Sequence, residues 1–275
     1  MHTGYKVFAT ISVPVLIFVM KWLWHTKKRK KKLQEKMGDL EKRINDLQEQ
    51  VGELANKIEE LQKQMGDKSI KKPQEKMEEL QKQMDETKKE LEWRRVQNNS
   101  DDITLNGITA HPNLSISGDK KSFTHEAQPQ KVLSNPERFD STVCVLGSEG
   151  FSSGKHYWEV EVVSSTDWDL GVARKSTQRK GKLSLSPREG FWALGLSGRD
   201  YWAKTDPWTQ VIVQKKPKKI GIYLSYQEEQ VTFFNVTDMS VLFTFNNCSF
   251  SGEVYPFFKN SHKETTMRIC STKEE

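Results

Sequence analysis

The side chains best suited to chemistry in this 275-residue chain are few and scattered. Six histidines, His2, His25, His111, His125, His156 and His262, lack the spacing that metal ligation needs. The three cysteines, Cys144, Cys248 and Cys270, form no CxxC pair and read as free thiols of a reducing compartment. Gly154-Lys155 has the ending of a phosphate-cradling loop, but Glu149 stands where such a loop needs its first glycine and His156 where it needs a hydroxyl. Asp167 and Asp169 flank Trp168 with no nucleophile or base to serve. This pattern predicts a protein that is not an enzyme and takes no cofactor or metal. What stands out instead is recognition chemistry. Arg199, Tyr201, Trp202, Lys204, Asp206 and Trp208 lie within ten residues, and large aromatics beside arginine dominate binding hot spots. The competing expectation is that the tryptophans fill a core.

These residues depend on the elements that hold them. Trp158, Val160 and Val162 alternate with Tyr157, Glu159 and Glu161, and after a polar turn Trp168, Leu170 and Val172 alternate again. Period two puts one set on each face of a strand. Further short strands are expected over residues 114–116, 122–124, 143–146, 191–196, 219–226, 231–235 and 241–245, with a hairpin closing at residues 227–230. Many short strands with regular turns predict a β-sandwich.

The chain before residue 98 has a different character. Residues 7–20 are uncharged, and Lys21 can snorkel, so residues 5–24 are expected to form a transmembrane helix ending in an aromatic belt at Trp22 and Trp24. A cleaved signal peptide would end in small residues; here a basic segment, 25–32, follows directly, as at a stop-transfer edge with the bulk of the chain cytoplasmic. The net charge is +6, and residues 27–32 alone supply six positive charges, so the remainder balances to zero and no nucleic acid is expected as partner. The basic run suits anionic lipid headgroups, and the four sequons, at Asn98, Asn113, Asn235 and Asn247, are expected to stay unglycosylated.

Leu33, Leu40, Leu47, Leu54 and Leu61 alternate in four-three spacing with Met37, Ile44, Val51, Ile58 and Met65. Leucine at d with β-branched residues at the central a positions predicts a parallel homodimer. The alternative is one amphipathic helix packed on the folded domain. Pro73 interrupts the pattern, and Met77, Leu80, Met84 and Leu91 resume it, so residues 33–97 read as a coiled coil with a break near Pro73.

Beyond residue 98 the motifs resemble a known family. Residues 135–140 (NPERFD), 145–147 (VLG), 151–162 (FSSGKHYWEVEV), 170–172 (LGV), 190–192 (GFW), 220–226 (IGIYLSY), 231–235 (VTFFN) and 255–258 (YPFF) are similar to those of the PRY-SPRY (B30.2) domain. The order of apolar segment, basic edge, heptads and B30.2 motifs resembles the cytoplasmic half of a butyrophilin; tripartite-motif ubiquitin ligases also join a coiled coil to B30.2, but begin with a RING and B-box. The resemblance implies an α+β chain overall: a transmembrane helix and long coiled-coil helix, then an all-β antiparallel sandwich over 98–275, with PRY at about 101–150 and SPRY at about 151–270. The family's Leu-Asp-Pro is here Leu105-Asn106-Gly107, Glu229 stands where its hairpin commonly has glycine, and its immunoglobulin-like ectodomains have no counterpart ahead of residue 5.

The resemblance also implies a function, a scaffold whose B30.2 domain binds a protein partner in immune regulation. Some butyrophilins hold pyrophosphate-bearing metabolites in a basic pocket. Thr142, Asp169, Ser184, Trp202 and Trp208 align near its His, His, Lys, Arg and Arg. An aspartate and neutral side chains do not replace charge-assisted phosphate contacts, although Lys182 and Arg199 are near in sequence. The expected partner-binding set is therefore Trp202, Trp208, Arg199, Tyr201, Lys204, Asp169 and Lys182. The alternatives are an intracellular phosphoantigen-type sensor signalling through the coil and a substrate-recognition partner of a ubiquitin ligase.

Overall fold

The computed structural model describes residues 13–65 and 71–271, which divide into two compact units at Asn98/Asn99. The first unit is helical. Helix α1 (Val13–Met65) runs without a break through the lysine-rich segment, and α2 (Lys71–Gln97) follows. Pro73 sits in the first turn of α2, where its missing N–H has no helical partner to lose. The two helices are antiparallel. Arg95, near the end of α2, pairs with Glu41 at 3.1 Å, while Met77, near its start, shares a groove with Val51. Ile44 and Leu47 of the heptad face bury against Leu80, Met84 and Leu91 of α2. The central part of the heptad seam thus has a partner inside the chain: the second helical segment expected beyond a break near Pro73 folds back on the first as a helical hairpin. Among the described residues no helix is long and apolar enough to cross a membrane. The transmembrane helix expected over 5–24 is therefore not found, and residues 5–12 of it lie outside the described residues.

The second unit is two antiparallel sheets. The first has seven strands in the order β1 (Leu114–Ile116), β2 (Ser122–His125), β13 (Thr266–Ile269), β4 (Lys155–Glu161), β9 (Lys219–Ser225), β10 (Gln230–Asn235) and β11 (Ser240–Phe245). The second has six, in the order β3 (Cys144–Leu146), β12 (Val254–Asn260), β5 (Asp167–Arg174), β6 (Phe191–Ser197), β7 (Asp200–Ala203) and β8 (Thr209–Val211). Alternation does what period two requires. Trp158 and Val160 of β4, Ile220, Ile222 and Leu224 of β9 and Phe233 of β10 share one core with Trp168, Leu170 and Val172 of β5 and Trp192 and Leu194 of β6. Two sheets joined through inward-facing alternate residues are a β-sandwich.

The six-stranded sheet has a second covered face. Cys144, Leu146, Ala173, Phe191, Ala193 and Phe257 point away from the main core and are roofed by Phe139 and Leu185 from loops. This explains why consecutive Phe257 and Phe258 are both fully buried: each strand face has its own core. β12 is a central strand although it contains Pro256, a residue that argues against interior strands. β7, β8, β12 and β13 are strands that alternation did not single out.

Candidate functional site

Of the residues expected to recognise a partner, Asp169 and Trp202 lie on the outward face of the six-stranded sheet, beside the second core, and Lys204 and Trp208 join them from the β7–β8 loop. Register sets Asp169 and Trp202 in a row. Lys259 on β12 faces Asp169 on β5, Asp169 faces Gly195 on β6, Gly195 faces Trp202 on β7, and Trp202 faces Gln210 on β8. Gly195 is what lets the row close. A Cβ there would collide with the Asp169 carboxylate and crowd the Lys204 stem. Over this bare backbone Asp169 accepts a hydrogen bond from Lys259 Nζ, 2.6 Å from Oδ2, and forms an ion pair with Lys204 Nζ, 3.1 Å from Oδ1. The side chains of Asp169 and Lys204 are only 4% and 5% exposed, and that of Lys259 is 20% exposed. Buried charges persist only when paired, and here Asp169 sits between two cations while Lys259 also reaches the more exposed Asp167 at 3.8 Å, so the two lysines are matched by two carboxylates.

Lys204 reaches one group further. Its Nζ lies 3.4 Å from the centroid of the Trp208 ring, the geometry of a cation–π contact. Trp208 is 52% exposed, and its Nε1 donates to Leu185 O at 3.2 Å. The loop between is braced by the Thr205 hydroxyl, which lies 2.6 Å from Pro207 O and 2.7 Å from the Thr209 hydroxyl. An exposed indole is thus pinned at both its face and its N–H, above a buried ion cluster.

The other expected residues separate. Tyr201, expected in the partner-binding set, is buried in the main core, edge-on to Trp168 at 6.2 Å, because alternation along β7 turns it inward and Trp202 outward. Lys204 is likewise buried and not open to a partner. Trp202 is half-buried, while Arg199 is exposed at the β6–β7 turn. Lys182 is exposed on the segment leading to Leu185, where Leu183 N donates to Thr142 Oγ1 at 3.3 Å. Asp206 pairs at the surface with Arg188 at 3.4 Å. Asp169, expected to present a bare negative charge, is neutralised. The residue sequence reasoning missed is Lys259. Its only signal was position, two places beyond Phe257 on the strand face that also carries Tyr255.

Elsewhere the titratable groups read as structural. Burial pushes the Cys144 thiol well above its ordinary range, Cys248 up to about 12 and Cys270 up to about 11, so none offers a thiolate nucleophile at neutral pH. Among the described residues no group of histidines, cysteines and carboxylates is placed to hold a metal.

Comparison with known proteins agrees with this geometry. Residues 155–273 match the SPRY domain family and residues 103–151 the SPRY-associated (PRY) domain family. Butyrophilin subfamily 1 member A1 of Bos taurus is 45% identical over 169 residues, covering 62% of this chain and 32% of that protein. Butyrophilin subfamily 2 member A2 of Homo sapiens is 41% identical over 181 residues, covering 66% and 35%. E3 ubiquitin-protein ligase TRIM58 of Mus musculus is 44% identical over 158 residues, covering 57% and 32%. The chain therefore spans about a third of the length of the curated relatives it matches. The crystal structure of the TRIM65 PSpry domain shares the fold, with a TM-score of 0.58 at 21% identity over 66% of this chain and 95% of that one. Sandwich topology, ordered motifs and relatives together make this chain a butyrophilin-like member of the PRY–SPRY (B30.2) family.

Proposed function

We propose that this chain is a non-enzymatic, membrane-anchored scaffold whose B30.2 domain binds a protein partner in regulation of the butyrophilin type. The partner docks on the outward face of the six-stranded sheet, on Trp208 and Trp202 over the Asp169–Lys204–Lys259 cluster, with Arg199 at the far end of β7. The observation that carries this reading is Trp208 itself, 52% exposed yet held by Leu185 O and Lys204. A large aromatic already ordered in the free protein loses little freedom on binding. The anchor, with the B30.2 domain in the cytoplasm, is supported by the apolar residues of 5–24 and the six basic residues that follow. A parallel homodimer is supported by heptad residues such as Leu33, Val51, Leu54 and Leu61, which stay only half-buried in the hairpin. Proximity labelling by the full chain in cells tests the site: Trp208→Ala removes discrete labelled proteins that the folded wild type marks, and an unchanged labelling pattern overturns the reading. Retention of the full chain in alkali-washed membranes tests the anchor, and its release overturns it.

A second reading, an anionic small-molecule sensor, draws on one observation, the two ammonium groups of Lys204 and Lys259 brought together at Asp169, with Asp167 3.8 Å from Lys259 as a further counter-charge. Against it, both lysines already serve Asp169. A pyrophosphate metabolite at millimolar concentration gives no calorimetric heat under the favoured reading; a heat that disappears with Lys259→Met supports the sensor.

A further inference from the structure

Apart from the Trp208 face, the domain exposes a second apolar surface. Leu133 is 88% exposed, Ile108 60% and Val132 43%. They are brought together from separate loops. The Arg138 guanidinium donates to Leu133 O and to Gly107 O, each at 3.0 Å, and also to Ala110 O. Asn135 Nδ2 donates to Ile108 O at 3.1 Å. The knot is locked from a third loop, where Lys180 Nζ donates to Asn135 O at 2.8 Å and Arg138 O at 2.6 Å. Beneath it Arg179 lies over the Phe139 ring at 4.9 Å, and Gly181 N donates to the Asp140 carboxylate at 2.8 Å.

These side chains are therefore displayed on a braced surface, not scattered along a loose one. Single exposed aliphatics need no explanation, but a held cluster of them does. The charges around it are unequal: Lys131, Arg138 and Lys180 stand against Glu137 and Asp140. Arg138 and Lys180 use their hydrogen bonds on backbone carbonyls, which are uncharged; the Asp140 carboxylate offsets part of the Lys180 charge, and that of Arg138 has no carboxylate among these partners. The patch consequently has an aliphatic centre and a net positive rim, complementary to a chain segment that carries carboxylates beside aliphatic or aromatic residues.

We propose that this surface, centred on Leu133 and Ile108 and bordered by Arg138, Lys131 and Lys180, is a docking site for an acidic, apolar segment of a protein partner. It is distinct from the Trp208 face and stands or falls separately from it.

The test is selection of a displayed random-peptide library on the immobilised full chain. The expected result is enrichment of sequences in which Asp or Glu lies next to Leu, Ile or Phe. Leu133→Asp lowers capture of those sequences by about tenfold or more, Lys131→Glu lowers it less, and raising the salt weakens it. Trp208→Ala leaves it in place. Both altered positions at the patch are solvent-exposed, so the variants keep their fold. No enrichment, enrichment of sequences without acidic residues, or capture that falls with Trp208→Ala and not with Leu133→Asp each overturns the proposal.

Discussion

Lys259 and Asp169 lie 90 residues apart in the chain and 2.6 Å apart in the fold, facing each other across β12 and β5. The contact joins a half-buried ammonium to a carboxylate that also holds the buried Lys204. Removing the shared acceptor strands the buried Lys204 and leaves Lys259 only the exposed Asp167 at 3.8 Å, so Asp169→Ala should destabilise the domain by about 3–5 kcal/mol, the usual cost of an uncompensated buried charge. Lys259→Met leaves the Asp169–Lys204 pair intact and should cost clearly less. Urea denaturation of the two variants checks the order; equal losses would mean that Lys204 does not depend on Asp169.

The tryptophans divide by face. Trp192 is 2% exposed and Trp168 is fully buried, whereas Trp208 is 52% exposed. Trp192→Ala is expected to cost about 3–5 kcal/mol of stability. Trp208→Ala should cost about 1 kcal/mol or less, losing one hydrogen bond and one cation–π contact, while weakening the partner by about 2 kcal/mol or more. Thermal melts of both proteins separate a core role from a surface one.

His156 couples the start of the domain to pH. Its Nδ1 lies 2.9 Å from Asp101 Oδ2, its Nε2 lies 2.7 Å from Ser153 O, and its ring stacks on Phe151 at 3.7 Å. Both neighbours accept hydrogen bonds, so only the doubly protonated ring satisfies both. Burial works against the charge, but Asp101 and Ser153 O outweigh it and hold the pKa above the ordinary 6.5. Within β4 the adjacent Lys155 is turned to the other face, where it pairs with Glu228. Because the folded state binds the proton more tightly, this stabilisation is complete below about pH 6.5 and is lost as pH rises through the raised value. The Asp101 N–H to Tyr157 O bond of 2.8 Å should exchange its hydrogen faster across that window. His111 and His125 have the opposite sign: burial lowers both, so their contribution is lost as the pH falls through their own lowered values. Exchange rates at Asp101 that ignore pH, or that stay pH-dependent in His156→Phe after correction for intrinsic exchange, would rule His156 out as the cause.

The hairpin between β9 and β10 carries Glu229 at φ 49°, in the left-handed region. A side chain there costs about 1 kcal/mol through contact of its Cβ with the backbone. Glu229→Gly should therefore raise stability by up to about 1 kcal/mol, less the greater freedom of glycine in the unfolded chain. A lower melting temperature would show that the Glu229 side chain contributes something the strain argument omits.

The sequence by itself determined the local periods and the kinds of residue at the site. Trp158, Val160, Trp168 and Leu170 alternate strictly, and alternation follows from the pleat alone, so strands β4 and β5 and a sandwich were legible. The B30.2 motifs in order determined the family. A heptad likewise determines that a helix has one apolar seam, but not what covers it; only the return of α2 put Leu80, Met84 and Leu91 there. Period two says that a strand has two faces without saying which is buried. On β7 the tertiary structure turned Tyr201 into the core and left Trp202 outward, and on β12 it buried both Phe257 and Phe258, because the six-stranded sheet is covered on both sides. The pairing of Asp169 with Lys204 and Lys259 lay beyond any local signal. It depends on the register of four strands and on an empty position at Gly195, and a register between strands this far apart in the chain exists only once the sheet has formed.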